Sequence, residues 1–353
     1  MIKNTNTAKY QKYSQSRNSN ARKTKYMYGK IKKHIYREKP HLPETKIASI
    51  NFESAAEEWL EQAKLRIKIS TFRNYEYLLK KHILPFFGNK DMSMITKHDM
   101  NVFIKEKLTN GRLKRMCGIS KKYLKDILSI IKSIAAHCEQ EYEIPSKIRY
   151  VTSPSVERKE MKVLDDKEYI KLTEYLMQKI TLENTAVLIS MFTGLRIGEV
   201  CGLKWDDFDS INQTITVRRT VQRISTGQGK TILLENSPKT SSSLRIIPIP
   251  HFICKLLLTF KRANNLPLFS HSEKYTEPSH IRKSFNTTLK MCEIGKMRFH
   301  DLRHSFASRC MRLNANIKTL SEILGHSNTS MTLNRYIHSS LDDKRTLMEN
   351  FII

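Results

Sequence analysis

The chain has 353 residues, 39% of them apolar and 27% charged, which is enough for two ordinary domains with buried cores and excludes a disordered chain. Against 34 Asp and Glu stand 62 Lys and Arg, a formal net charge of +28. A surplus that large repels itself until a polyanion neutralises it, so nucleic acid is the expected partner.

Residues 1–45 form a basic N-terminal arm. From Met1 to Pro40 there are 12 Lys and Arg and one Glu, with Tyr10, Tyr13, Tyr26, Tyr28 and Tyr36 between them. So few aliphatic side chains cannot bury a core, and the arm is expected to be disordered or to fold on DNA.

Residues 50–145 read as a helical DNA-binding domain. Phe52, Ala55, Ala56, Trp59, Leu60 and Ala63 recur at the spacing of one helix face. Ser70 is the expected N-cap of a second helix, which Pro85 and Gly88 end. Thr96 caps a third, with Met100, Phe103 and Ile104 inward. Ser120 caps a fourth, running through Leu124, Ile127, Leu128, Ile131 and Ala135. Lysine-rich outer faces fit a DNA-binding module, and they fit a plain solvated bundle equally well.

Residues 146–161, with prolines and serines and no period, are a linker. A second domain, 162–353, opens at Asp165 and Glu168, which have capping-box spacing. Helices are expected to about Asp206. Strands follow at Thr214–Ile224 and Lys230–Leu234, joined through Gly227 and Gly229, and a third at Leu244–Ile249. From His251 the pattern is helical again. The expected class is mainly α with a small antiparallel β-sheet.

Four pieces of this domain carry unusual polar residues. In Thr193-Gly-Leu-Arg-Ile-Gly-Glu-Val200, Arg196 and Glu199 lie i,i+3 among apolar neighbours, a sheltered helix face where the carboxylate can orient the guanidinium. Taken singly, such a pair is commonly a surface ion pair. Lys239 sits in the turn Ser237-Pro-Lys-Thr between two strands. His300 and Arg303 are i,i+3 in Phe299-His-Asp-Leu-Arg-His-Ser305. In Leu320-Ser-Glu-Ile-Leu-Gly-His-Ser-Asn328, Gly325 closes one helix and Ser327 or Asn328 caps the next, leaving His326 in the corner. That next helix carries Tyr336, and a lone helix tyrosine is more often a packing residue than a nucleophile.

The ordered set Arg196, Lys239, His300-x-x-Arg303, His326 and Tyr336, within the words TGLRIGEV, HDLRHSFAS and LGHSNTSMTLNRY, resembles the tyrosine recombinase (phage integrase) family over residues 160–340. The resemblance implies a helical core-binding domain followed by a tyrosine-recombinase catalytic domain. It implies phosphate binding by Arg196, Arg303 and His326, and nucleophilic attack by Tyr336. It also implies proton acceptance by His300, general-acid work by Lys239 and a bracing role for Glu199. The product would be a 3′-phosphotyrosine with a free 5′-hydroxyl, resealed without ATP.

No cofactor and no metal are expected, because the histidines lack carboxylate or cysteine partners at ligand spacing. The expected partners are double-stranded DNA attachment sites and a homotetramer on DNA. An excision factor and a host DNA-bending protein are candidate accessories. Leu341, Leu347, Met348, Phe351 and Ile352 have the spacing of a C-terminal docking tail that packs on a neighbouring subunit.

Cys117, Cys138, Cys201, Cys254, Cys292 and Cys310 form no CxxC pair, and apolar runs such as Ala186–Phe192 are too short to span a bilayer. A reduced, cytoplasmic protein with no membrane contact is expected. The errand suggested by the arm is integration and excision of a mobile element. A Xer-type dimer resolvase, a type IB topoisomerase-like enzyme and a non-catalytic DNA-binding relative are the alternatives.

Overall fold

Side-chain caps set where several helices begin. Asn51 Oδ1 accepts from Ser54 N at 2.8 Å and starts α1 (Phe52–Lys64). The second helix, α2 (Ile69–Leu78), starts two residues earlier than Ser70 as its N-cap predicts. Lys68 takes the extended cap conformation, and its side chain makes no capping hydrogen bond. Pro85 does not end it either. The backbone widens into a π-turn over Leu79–Ile83 and continues as α3 (Leu84–Phe87), with Pro85 in its first turn. A proline removes one N–H and crowds the preceding turn, and the wider turn makes room for its ring. Thr96 and Asp99 cap α4 (Lys97–Asn110) reciprocally, and Ser120 accepts from Tyr123 N to start α5 (Lys121–Glu141).

The computed structural model describes residues 50–112, 117–156, 161–227, 230–236, 244–326, 328–330 and 348–349. The basic arm, Lys239, Tyr336 and all of the predicted docking tail except Met348 and Glu349 lie outside the described residues.

Phe52, Ile83, Phe87, Phe103, Leu124, Ile127, Leu128 and Ile131 are fully buried and form the core of α1–α5. Phe87 lies 5.5 Å from Phe52 and 5.1 Å from Phe103, centroid to centroid. A second core runs from Leu164 to Leu302. It starts at α6 (Asp166–Gln178), which the predicted capping box of Asp165 and Glu168 opens.

At its centre is α7 (Leu182–Thr193), buried along nearly its whole length. A helix apolar on every side belongs inside a domain. It is surrounded by α6, α9 (His251–Leu258), α10 (Pro278–Met291) and α11 (Phe299–Arg312). The short helix α8 (Ile197–Gly202) follows α7, and α12 (Ile317–Leu324) follows α11. No helix among the described residues is long and apolar enough to cross a membrane.

The predicted run Thr214–Ile224 is two strands in two sheets. Strand β1 (Phe208–Asp209), absent from the sequence reading, pairs antiparallel with β2 (Thr214–Val217). Next come β3 (Thr220–Gly227), β4 (Lys230–Asn236) and β5 (Arg245–Pro248). The sheets are β1-β2-β5 and the hairpin β3-β4. The break falls at Arg218 and Arg219, both of which turn to the fully buried carboxylate of Asp207. Two guanidiniums drawn to one buried anion cannot also stay on a continuous alternating strand.

Candidate active site

The turn from α7 to α8 is Thr193-Gly194-Leu195-Arg196. Gly194 has φ 66° and ψ 18°, a left-handed conformation, and a Cβ there would fall 2.6 Å from Phe306 Cδ1 and 2.8 Å from Leu324 Cδ2. Only glycine lets the end of α7 touch α11 and α12 so closely. A Cβ at Gly198 would fall 2.5 Å from Thr220 Oγ1 and 2.9 Å from the Val221 carbonyl oxygen, which lays α8 directly on β3.

Arg196 is the N-cap of α8, with φ −73° and ψ 148°, and so precedes the helix that the sequence placed it in. Its backbone N donates to Glu199 Oε2 at 2.9 Å and its Nη1 donates to Oε1 at 2.8 Å. The expected pair is present, but the shelter belongs to the carboxylate: the Glu199 side chain is 7% exposed and that of Arg196 38%. Arg196 therefore keeps a face toward solvent while its partner is sealed.

What seals Glu199 is a residue the sequence reading did not single out. Arg245, the first residue of β5, donates through Nη1 at 3.2 Å and Nη2 at 2.9 Å to the two Glu199 oxygens. Burial pushes the Glu199 carboxyl up, but hydrogen bonds and charge from Arg245, then charge from Arg196, outweigh it and leave it below its ordinary value. The signal for Arg245 was in the sequence. Strand alternation puts it on the face of Ile247, and the burial along β5 alternates in that way. An arginine on a buried strand face requires an anion.

The C-terminus of α12 explains how His326 is held. A helix leaves its last four carbonyls without internal partners. Here Ser321 O accepts from His326 N at 3.1 Å and Glu322 O from Gly325 N at 3.0 Å, with Gly325 left-handed at φ 63°. Ile323 O accepts from Arg245 Nε at 2.6 Å, and Leu324 O from Arg303 Nη2 at 2.7 Å. All four are met. His326 leaves the helix in the predicted corner, and Asn328 Oδ1 accepts from Ser330 N at 2.8 Å, as an N-cap does.

Arg303 is 2% exposed, and its Nη1 donates to the Gly194 carbonyl at 2.9 Å. It ties the α7–α8 turn to the end of α12 and thereby sets Arg196 and His326 relative to each other. His300 and Arg303 share α11 but not an environment, since His300 is exposed on the first turn. The His300 ring stands edge-on to that of His304, centroids 4.8 Å apart. His304, 3% exposed, is a second residue the sequence reading missed. Its i+4 spacing from His300 was the available signal.

Five expected residues, Arg196, Glu199, His300, Arg303 and His326, lie among the described residues, and Arg196, Glu199, Arg303 and His326 share one network of side-chain and backbone hydrogen bonds. Guanidiniums fixed by a buried carboxylate and by carbonyls form a preorganised cationic edge of the kind that stabilises a phosphoryl group gaining charge. Two of the five N–H donors of Arg303 are committed to backbone, which fixes the plane of the group.

Comparison with known proteins identifies the family. The phage integrase family model matches residues 162–342, and a model of the phage integrase N-terminal SAM-like domain matches residues 51–108. The ICEBs1 integrase of Bacillus subtilis is 25% identical over 309 residues, covering 83% of this chain and 80% of that protein. A XerC-like tyrosine recombinase of Caldanaerobacter subterraneus is 26% identical over 322 residues, covering 82% and 80%. In fold, the chain is similar to the Tn1549 transposon integrase solved with transposon right-end DNA, at TM-score 0.68 and 23% identity, covering 84% of this chain and 99% of that one. The chain belongs to the phage integrase family, the tyrosine recombinases, which are DNA strand-transferring enzymes.

Proposed function

We propose that this recombinase integrates and excises a mobile DNA element through a 3′-phosphotyrosyl intermediate on Tyr336. The observation that carries the reading is the double tie of Arg303 to the carbonyls of Gly194 and Leu324. It joins three sequence-distant pieces into one cationic edge.

In this reading Arg196 and Arg303 hold the non-bridging oxygens of the scissile phosphate, and His326 adds a hydrogen bond. The Tyr336 hydroxyl oxygen attacks phosphorus as its proton passes to His300. The bond from phosphorus to the 5′ oxygen breaks, and that oxygen takes a proton from Lys239. The reverse sequence, with a partner strand's 5′-hydroxyl attacking, releases the tyrosine and reseals the DNA. Phosphoester energy is conserved, so no nucleotide is consumed. Exchange between two duplexes needs four cleavages, which calls for four active sites and hence a homotetramer on DNA. The helical domain at 50–145 and the catalytic domain at 162–353 would grip the duplex together, with the linker 146–161 between them. An excision factor and a host DNA-bending protein are the accessory partners this reading proposes, and the cytoplasm is its compartment.

The similarity to a XerC-like recombinase supports one second reading, resolution of replicon dimers. Both make the same adduct on different DNA. The test is to incubate the full chain with a nicked duplex bearing the joined ends of the DNA element that encodes it, and separately with one bearing the host's replication-terminus dimer site. A covalent adduct on the first, lost in Tyr336→Phe while binding persists, is expected. An adduct persisting in Tyr336→Phe removes the nucleophile assignment. Cleavage only of the terminus site selects dimer resolution, and relaxation of any supercoiled plasmid selects a topoisomerase.

A further inference from the structure

Arg245 is 8% exposed and lies six residues after Lys239, outside the constellation that performs the chemistry above. Its three donor groups go to two different elements. Nη1 and Nη2 fork onto both oxygens of Glu199 at 3.2 and 2.9 Å, and Nε donates to the Ile323 carbonyl at 2.6 Å. Glu199 in turn holds both the backbone N and the guanidinium of Arg196. Ile323 lies three residues before His326, in the helix end that fixes where His326 emerges.

We propose that Arg245 is a positioning residue for strand cleavage, holding Arg196 through Glu199 and His326 through the end of α12, so that both address one phosphate. The inference rests on the phosphate-binding roles proposed above.

The chemistry favours arginine at this position. A planar fork matches a carboxylate in two bonds while its third donor points elsewhere, whereas an ammonium is a point charge on a flexible stem. Lysine could keep the charge beside Glu199 but could not hold carboxylate and carbonyl in one fixed geometry. Neutral replacement would leave the buried Glu199 carboxylate without its bidentate partner. Neither change removes a group assigned above to hold the phosphate. The effect should appear in the rate of cleavage and not in DNA affinity, because a displacement of about 1 Å in a positioned group costs on the order of 100-fold in rate.

The test uses the full chain and a nicked duplex bearing the joined ends of the element that encodes it. DNA affinity, melting temperature and single-turnover adduct formation are measured for wild type, Arg245→Lys, Arg245→Met, Glu199→Gln and both double variants. Arg245→Met is expected to bind within about 3-fold of wild type and to cleave on the order of 100-fold more slowly, with Arg245→Lys recovering part of the rate. The effects should be non-additive, so that in the Glu199→Gln background either Arg245 change costs at least about 5-fold less than in wild type. If Arg245→Met does not fold, the Arg245→Lys arm carries the comparison.

Wild-type cleavage rates in Arg245→Lys and Arg245→Met would overturn the proposal. So would strictly additive losses, or a rate loss that only tracks a fall in melting temperature and DNA affinity. Absence of any adduct in wild type on this duplex would instead overturn the recombination reading on which the proposal stands, and the proposal with it.

Discussion

Arg303 donates to the carbonyl of Leu324 at 2.7 Å, and so a residue expected to bind phosphate also caps the helix that delivers His326. The guanidinium is part of the scaffold before any DNA arrives. Its loss would therefore affect two properties at once. Arg303→Met is expected to lower stability by about 3 kcal/mol or more, since it leaves two buried carbonyls unpaired, and to abolish adduct formation. Chemical denaturation and a gel-based cleavage assay check the two parts separately. Unchanged stability would show that the carbonyls find other partners.

Gly194→Ala tests the close approach at the same turn. The new Cβ would face Phe306 and Leu324 at 2.6 and 2.8 Å on a left-handed backbone. Backbone strain and overpacking together should cost about 2–4 kcal/mol. A loss below about 0.5 kcal/mol by urea denaturation would mean that the three elements can move apart easily.

Glu199 makes stability depend on acid. Its carboxyl sits below the ordinary value, because the Arg245 and Arg196 interactions outweigh the opposing effect of burial. A carboxyl depressed in the folded state contributes stability above its unfolded value, about 4.3, and that contribution is lost as pH falls through the folded value. Wild type should lose stability faster than Glu199→Gln as pH drops below about 4.3. Parallel profiles for the two proteins by thermal melting would remove this group from the acid response.

Lys239 can be tested by chemistry that needs no proton. Lys239→Ala should slow cleavage of normal DNA by about 100-fold or more, as loss of a general acid does. A bridging 5′ sulfur leaves readily as a thiolate, so a duplex carrying it should restore the rate. If the sulfur substrate is cleaved as slowly as the oxygen one, Lys239 has another role.

The thiols give a probe of folding. Burial pushes Cys138 up to about 11 and Cys201 up to about 12, so both should resist alkylation at neutral pH. Cys117, only partly buried, should be labelled first in the native protein. Peptide mass spectrometry after iodoacetamide treatment reads the order. Early labelling of Cys201 would mean that the α8 region opens locally.

How legible the molecule was depended on the range of each interaction. Caps are local, so Thr96, Ser120 and Asp165 were readable from residues three positions away. The left-handed Gly325 was readable for the same reason. The π-turn before Pro85 was not, because the helix continues on packing of Ile83 and Phe87 into the core and not on local preference. The division of Thr214–Ile224 between two sheets turns on Asp207, which sequence alone does not place beneath Arg218 and Arg219. The proposed catalytic set stands out in the sequence as an ordered series because its residue types are rare in that order. For Arg245 the burial was legible from strand alternation but the partner was not, because Glu199 lies 46 positions away.

The division into two sheets has a consequence for how this enzyme can diversify. Strands β4 and β5 flank the segment that contains Lys239, yet among the described residues they pair with different neighbours and not with each other. In an ordinary hairpin the ladder dictates how many residues the turn holds. Here neither ladder counts the residues between Asn236 and Arg245, so insertions or deletions there leave both registers intact. Evolution can lengthen or shorten the lysine's tether without disturbing the arginine that ends it.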